Sequence, residues 1–197
     1  MRSDAAAERE GYFETLYAAN ADPWQYDTCA YEFAKRAHTL SLLRPHYARG
    51  CEIGCSNGVL TAELAARCDR IVAIDISPAA AELARQRLAA VANAEVRVMH
   101  LPHDDLDGTF DLLMLSEVLY FLDADEVTAM AALAARHVAP GGDVLIVSYD
   151  GETQTRLSGR ETTERFVTAA APHFTLIHAE QRPEYHVRLL RRHHDAT

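Results

Sequence analysis

From Cys51 to the C-terminus, short β-rich runs alternate with stretches of helical pattern, and the alternation fails only at its end. The runs are Val72–Ile74, Val96–Met99, Phe110–Leu115 and Val144–Ser148, and helical patterns separate them from Pro78 through Val91 and over Asp125–Val138. Ser77 stands where a helix cap belongs and Pro78 at the first helical position, while Pro140-Gly141-Gly142 stops the second helix. Strands that alternate with helices close as parallel crossovers. Phe110–Leu115 is apolar apart from Asp111, the composition of a strand covered on both faces. Phe174–Ala179 and Tyr185–Leu190 are also β-rich, but only five residues around Arg182-Pro183 separate them. That is too short for a parallel crossover, so these two strands are expected to form an antiparallel hairpin. The expected class is α/β, a mostly parallel sheet with helices on both faces, closed by a C-terminal antiparallel hairpin.

Two further helical segments, roughly Ala5–Ala19 and Tyr31–Leu43, precede the sheet. Asn20 to Asp27 joins them and carries the only tryptophan, Trp24, which reads either as a packing plug or as part of a lid. No linker or repeat divides the chain. Residues 1–197 read as one domain, with 1–45 as an N-terminal helical lid segment and 46–192 as the core.

Composition narrows the function. The 197 residues are 49% hydrophobic and 24% charged, which fits a globular domain and excludes low-complexity or collagen-like chains. Nineteen Lys and Arg against 29 Asp and Glu leave a net charge of −10, so phosphate backbones are repelled and no nucleic-acid partner is expected. Cationic or neutral small molecules suit the chain better. The N-terminus lacks an apolar core of signal-peptide length and no apolar run reaches eighteen residues, so a cytoplasmic protein without a membrane partner is expected. Cys29, Cys51, Cys55 and Cys68 form no C-x-x-C pair and read as small hydrophobes rather than zinc ligands. His100, His103, Asp104 and Asp105 share one turn but read as loop solvation, and no metal site is expected.

The segment Cys51-Glu52-Ile53-Gly54-Cys55-Ser56-Asn57-Gly58 runs directly into the helical pattern Val59, Leu60, Leu64, Cys68. A strand turning through small residues into a helix brings backbone close to a ligand and aims N–H groups at an anion. The pattern is E-x-G-x-S-x-G, not the three-glycine signature of nicotinamide and flavin sites, and Glu52 sits where a pyrophosphate would be unwelcome. S-adenosylmethionine matches this mixture: its carboxylate suits the loop, and its ammonium and sulfonium suit a nearby acid. Asp75 follows Gly58 by seventeen residues, at the end of the next strand, where a carboxylate accepts both ribose hydroxyls.

With these motifs the chain resembles a class I S-adenosylmethionine-dependent methyltransferase, and more narrowly the nodulation protein S (NodS-like) family of small N-methyltransferases that act on an amino sugar. The resemblance spans about residues 12–192 and rests on Asp22-Pro23-Trp24, Tyr31-Glu32 with Lys35, Glu52-Ile53-Gly54-Cys55, Asp75-Ile76-Ser77-Pro78, and Phe110-Asp111-Leu112 running into Ser116-Glu117-Val118-Leu119-Tyr120-Phe121-Leu122. It implies a Rossmann-like, seven-stranded sheet. It also implies a cofactor site built from Trp24, Lys35, Glu52, Gly54, Cys55, Ser56, Gly58, Asp75, Ile76, Ser77, His100, Leu101 and Ser116. His100 stands where these relatives carry an Asp that contacts adenine, so adenine recognition falls to the Leu101 N–H, with or without the His100 ring; the other reading of His100 is an exposed loop histidine. Lys35, the only lysine, is either a partner of the methionine carboxylate or a solvated helix residue.

The acceptor should lie at the carboxyl ends of the strands. Glu117, just past the fourth strand, is the candidate carboxylate that orients an amine and takes its proton, with Tyr120 one turn after Ser116 positioning the substrate. The other reading of Glu117 is a loop or capping interaction. The expected function is methyl transfer to a small polar acceptor, an amine or amino sugar. O- or S-methylation, a non-catalytic S-adenosylmethionine-binding protein and a nicotinamide oxidoreductase are the alternatives.

Overall fold

The structure, a computed structural model, describes residues 4–194. The chain forms two compact units that divide between His103 and Asp104. In the first lie α1 (Asp4–Ala19), α2 (Ala30–Ser41), β1 (Tyr47–Ile53), α3 (Val59–Ala65), β2 (Cys68–Asp75), α4 (Pro78–Arg87) and β3 (Ala94–Val98). In the second lie β4 (Phe110–Ser116), a 3-10 turn at Leu119–Phe121, α5 (Ala124–His137), β5 (Val138–Tyr149), α6 (Gly159–Ala170), β6 (Phe174–Gln181) and β7 (Tyr185–Arg192). The strand order is β3-β2-β1-β4-β5-β7-β6, the seven-stranded, Rossmann-like sheet of class I methyltransferases.

Within the first unit β1 and β3 both run parallel to β2. Within the second, β4 and β5 are parallel, β5 and β7 antiparallel, and β6 returns antiparallel to β7. The hairpin turns through Arg182–Glu184, where the Arg182 N–H donates to the Tyr185 carbonyl at 2.8 Å. Both central strands of the second unit are apolar on both faces: Leu112–Leu115 and Val144–Ile146 are wholly buried. Asp143 is equally buried, and Arg191 on the paired strand meets it at 2.9 Å, so its charge does not enter the core alone.

Several boundaries differ from the expected ones. The helix after the Gly-rich turn ends at Ala65 and Cys68 opens β2, because Asn93 Nδ2 bonds the Ala65 and Cys68 carbonyls and ties that reversal. The helix expected through Val91 ends at Arg87, since β3 must begin at Ala94 opposite Ile71. Val138 belongs to β5, not to the preceding helix. Pro140-Gly141-Gly142 lies within that strand as an irregular stretch, with Gly141 at φ +74° and the register jumping between Phe110 and Leu112. Helix α6 was not anticipated. Its start is a reciprocal cap in which Ser158 Oγ accepts from the Glu161 N–H and the Glu161 carboxylate accepts from the Ser158 N–H.

Cys51, Cys55 and Cys68 are buried, as expected of small hydrophobes, and Cys29 is half-buried. Among the described residues no helix is long and apolar enough to cross a membrane, and no three His, Cys, Asp or Glu side chains group as a metal site.

Candidate active site

In the first unit the turn after β1 is built from left-handed backbone. Gly54, Ser56 and Gly58 have φ of +79°, +54° and +80°, and the N–H groups of Gly54 and Cys55 both donate to the Ile74 carbonyl. A side chain at Gly58 would also meet Ala84 of α4 at 3.1 Å, so glycine is required there by conformation and by space. Ser56 adopts the same region without being glycine, a cost its contacts must offset.

Those contacts converge on Asp75. Its Oδ2 accepts from the Ser56 N–H at 2.8 Å and its Oδ1 from the Ser77 N–H at 2.9 Å, so one carboxylate joins the turn after β1 to the cap of α4. Burial raises the Asp75 pKa, and the backbone N–H groups of Ser77, Ser56 and Ile76 pull it back, leaving it at about 6. A carboxylate offers about four acceptor sites, so these donors leave room for another. Ile76 is half-buried, and Ser77, wholly buried, caps α4 by accepting from the Ala80 N–H.

Glu52 lies in β1, one residue before its end. It is 2% exposed and its Oε2 accepts a short bond from the Thr61 hydroxyl. Desolvation dominates and raises its pKa to about 8, so the carboxyl is mostly protonated at neutral pH until a cation approaches. Cys55 is buried and its thiol is pushed well above the usual range by desolvation.

Three residues of helix α1 make contacts that the sequence reading did not anticipate. Tyr17 Oη donates to Ser56 Oγ at 2.6 Å, and Glu14 Oε2 accepts from Ser77 Oγ at 2.9 Å and from the Ala79 N–H at 3.0 Å. Glu10 lies 3.6 Å from His100 Nε2. Residues 10, 14 and 17 have the i, i+4, i+7 spacing of one helix face, and that polar stripe was the available signal. His100 is therefore not an exposed loop residue: it is 4% exposed, and Leu101 beside it is buried.

The remaining N-terminal candidates are corrected in part. Lys35 is not a solvated residue but is buried, with its Nζ 2.9 Å from Glu32 and 5.1 Å from the centre of the Tyr31 ring. Trp24 packs against the rings of Phe13, Tyr17 and Tyr26, centred 6.4, 5.8 and 5.8 Å away, and is 38% exposed, so it has both the contacts of a plug and the exposure of a lid. The joining segment is held by Asp27, which pairs with Arg87 at 2.6 Å, and by the Tyr26 carbonyl, which accepts from Arg36.

In the second unit Glu117 follows the end of β4 with φ +56°, and its N–H donates to the Val147 carbonyl at 2.9 Å, one residue past the Ser116–Val147 pair. A non-glycine residue held in this region marks a position that its surroundings over-determine. Its Oε2 accepts from the Tyr149 N–H at 2.8 Å and from the Tyr120 hydroxyl at 3.1 Å. The structure thus brings Glu117 and Tyr120 into direct contact and fixes the carboxylate at the carboxyl ends of β4 and β5. The bonds to Tyr149 and Tyr120 are also of the loop-holding kind that formed the other reading of Glu117.

Comparison with known proteins bears on the family and the fold. The family described as Nodulation protein S (NodS) matches residues 8–151. Nodulation protein S of Rhizobium tropici is 32% identical over 153 residues, which span 75% of this chain but only 64% of that protein's length. The crystal structure of a Pseudomonas syringae protein, 34% identical, has a TM-score of 0.73 and covers 82% of this chain and 99% of that one. The crystal structure of N-methyltransferase NodS from Bradyrhizobium japonicum WM9, in complex with S-adenosyl-L-homocysteine, has a TM-score of 0.78 and covers 93% of this chain and 97% of that one; at 24% identity it speaks for the fold alone. With the family match running over well more than half of its residues, this chain belongs to the Nodulation protein S (NodS) family.

Proposed function

We propose that this chain is an S-adenosylmethionine-dependent methyltransferase that acts on a nitrogen of a small polar acceptor, an amine or amino sugar. The observation that carries this reading is Asp75, a buried carboxylate at the end of β2 that ties the left-handed turn after β1 to the start of α4. The donor set fits the cofactor. The left-handed backbone at Gly54 and Gly58 shapes the turn, and Asn57 Oδ1 is buried within it without a hydrogen-bond partner. In this reading Gly54, Cys55, Ser56 and Gly58 receive the methionine carboxylate, and Glu52 is drawn into its ionised form by the ammonium. Asp75 accepts the ribose hydroxyls, with Ile76 and Ser77 holding its loop, and His100 and Leu101 border the adenine. Trp24 and Lys35 belong to the covering segment.

S-adenosylmethionine, when bound, would supply a methyl group activated by its sulfonium, with the neutral thioether as the leaving group. The chain's work is to align the acceptor and to free its lone pair. A protonated amine has none, so a carboxylate must bind the ammonium and take its proton. Glu117, fixed through Oε2 by the Tyr149 N–H and the Tyr120 hydroxyl, is that carboxylate, and Tyr120 positions it.

Titration calorimetry tests the cofactor half. S-adenosylmethionine and S-adenosylhomocysteine should bind and NAD should not. Asp75→Ala should weaken S-adenosylhomocysteine by roughly 10–100-fold, the loss expected when hydrogen bonds to a charged group are removed. Unchanged affinity in Asp75→Ala would place the ribose elsewhere, and NAD binding would favour an oxidoreductase.

A further inference from the structure

The connection between β5 and α6 carries a polar cluster that the reaction above leaves unused. His186, at the start of β7, is 1% exposed, and its Nδ1 lies 2.8 Å from Asp150 Oδ1. Asp150 also accepts from Gln181 Nε2 at 2.5 Å and from Arg160 at 3.3 Å. Burial opposes the charge of Asp150, but the bonds from Gln181 and His186 outweigh it and hold the carboxyl below its usual range. Burial likewise keeps the His186 pKa low against the pull of Asp150, so the ring is neutral at pH 7 and its one N–H is directed at Asp150.

Two buried polar atoms beside this pair have no partner: His186 Nε2 and Ser148 Oγ. Ser148 pairs with His186 in the β5–β7 register, so both side chains, and that of Asp150 two residues on, leave the same face of the sheet. Burying unsatisfied groups is costly, and an arrangement that keeps them while converging three donors on one carboxylate is built for orientation rather than for packing. The carboxylate so held lines an open surface cavity of about 400 Å³ together with Gly151, Glu152, Thr153, Thr155 and Ser158. Two carboxylates and three hydroxyls, with no apolar side chain, suit a ligand rich in hydroxyl groups and bearing positive charge. The loop begins one residue after Tyr149, whose N–H fixes Glu117.

We propose that this cavity is the subsite for the hydroxyl-bearing part of the acceptor, with Asp150 accepting hydrogen bonds from its hydroxyls and His186 acting as the positioning residue that holds Asp150. The proposal rests on the amine-acceptor reading above, and it adds which part of the chain discriminates between amines.

The test is a binding titration in the presence of S-adenosylhomocysteine, with glucosamine and cyclohexylamine as probes: the same ring size and charge, with and without hydroxyls. Wild type should bind glucosamine more tightly than cyclohexylamine. Asp150→Asn and His186→Phe should each weaken glucosamine by about tenfold or more and leave cyclohexylamine unchanged. His186→Asn, whose amide N–H stands near the place of Nδ1–H, should recover most of that loss, a rescue that a merely space-filling role would not give. Glu152→Gln, at an exposed rim position, should weaken glucosamine several-fold and covers the case in which the buried variants do not fold. Equal binding of the two probes by wild type, no detectable glucosamine binding, or glucosamine affinity unchanged in Asp150→Asn or Glu152→Gln would overturn the proposal. Methyl transfer is not needed for this readout. Glucosamine that binds as expected but is never methylated would therefore count against the amine-methylation reading and leave the subsite standing.

Discussion

Glu52 carries the clearest electrostatic consequence at the scale of single residues. Its carboxyl is raised from 4.5 to about 8 in the folded chain, mainly by desolvation, so the folded state holds a proton that the unfolded state releases across that window. Stability from this group is complete below pH 4.5 and is lost as the pH rises through 8. Asp75 acts in the same direction up to about 6, and His186, whose pKa is lowered from 6.5, acts in the opposite direction below that value. Between pH 6.5 and 8 Glu52 is therefore the dominant one of the three. Glu52→Gln keeps a polar partner for Thr61 and removes the titration, so its melting temperature should fall less than that of wild type across this interval. Thermal melts at several pH values check it, and parallel curves for the two proteins would mean that Glu52 is already ionised in the fold.

The single residues also divide by what made them legible. Gly54, Ser56, Gly58 and Asp75 were readable because the local backbone demands small residues and the strand end demands an acid, both visible within a short window. Glu14, Tyr17 and Glu10 were not, because each meets a partner 39 to 90 positions away in the sequence, and only the fold supplies that proximity. His186 and Asp150, paired across 36 positions, were hidden for the same reason.

At the scale of elements, hydrophobic periodicity located the strands and most helices, while the ends were decided by tertiary partners. Ser158 to Glu161 shows a signal that was present and passed over: the S-x-x-E pattern of a reciprocal cap that opens α6. Ser158→Ala removes the side-chain acceptor for the Glu161 N–H and should cost about 1 kcal/mol, or roughly 2–4 °C in melting temperature for a chain of this size. A differential scanning measurement checks it. A shift within error would mean that the α6 start is held by its packing alone, with Gly159 pressed against the Tyr149 carbonyl. Boundaries such as the end of α4 were unreadable from propensity because Leu88 and the alanines after it are themselves good helix formers. It is the pairing of Ala94 with Ile71 that ends the helix, and this partner is distant in sequence.

On the scale of the whole molecule, the alternation of strands and helices and the short gap before Tyr185 were enough to foresee a mostly parallel sheet closed by an antiparallel hairpin. The observed order β3-β2-β1-β4-β5-β7-β6 has that form. What such an architecture does depends on the groups at its strand ends, and the acceptor is read from those alone. The most direct measurement is incubation with isotopically labelled S-adenosylmethionine and a panel of amines, amino sugars and phenols, with the label located by mass spectrometry. The account predicts label on nitrogen, with stoichiometric S-adenosylhomocysteine, and a fall in kcat of about 10²–10⁴-fold in Glu117→Gln while S-adenosylhomocysteine affinity is retained. Label on oxygen, or wild-type kcat in Glu117→Gln with the methylated acceptor, would contradict it.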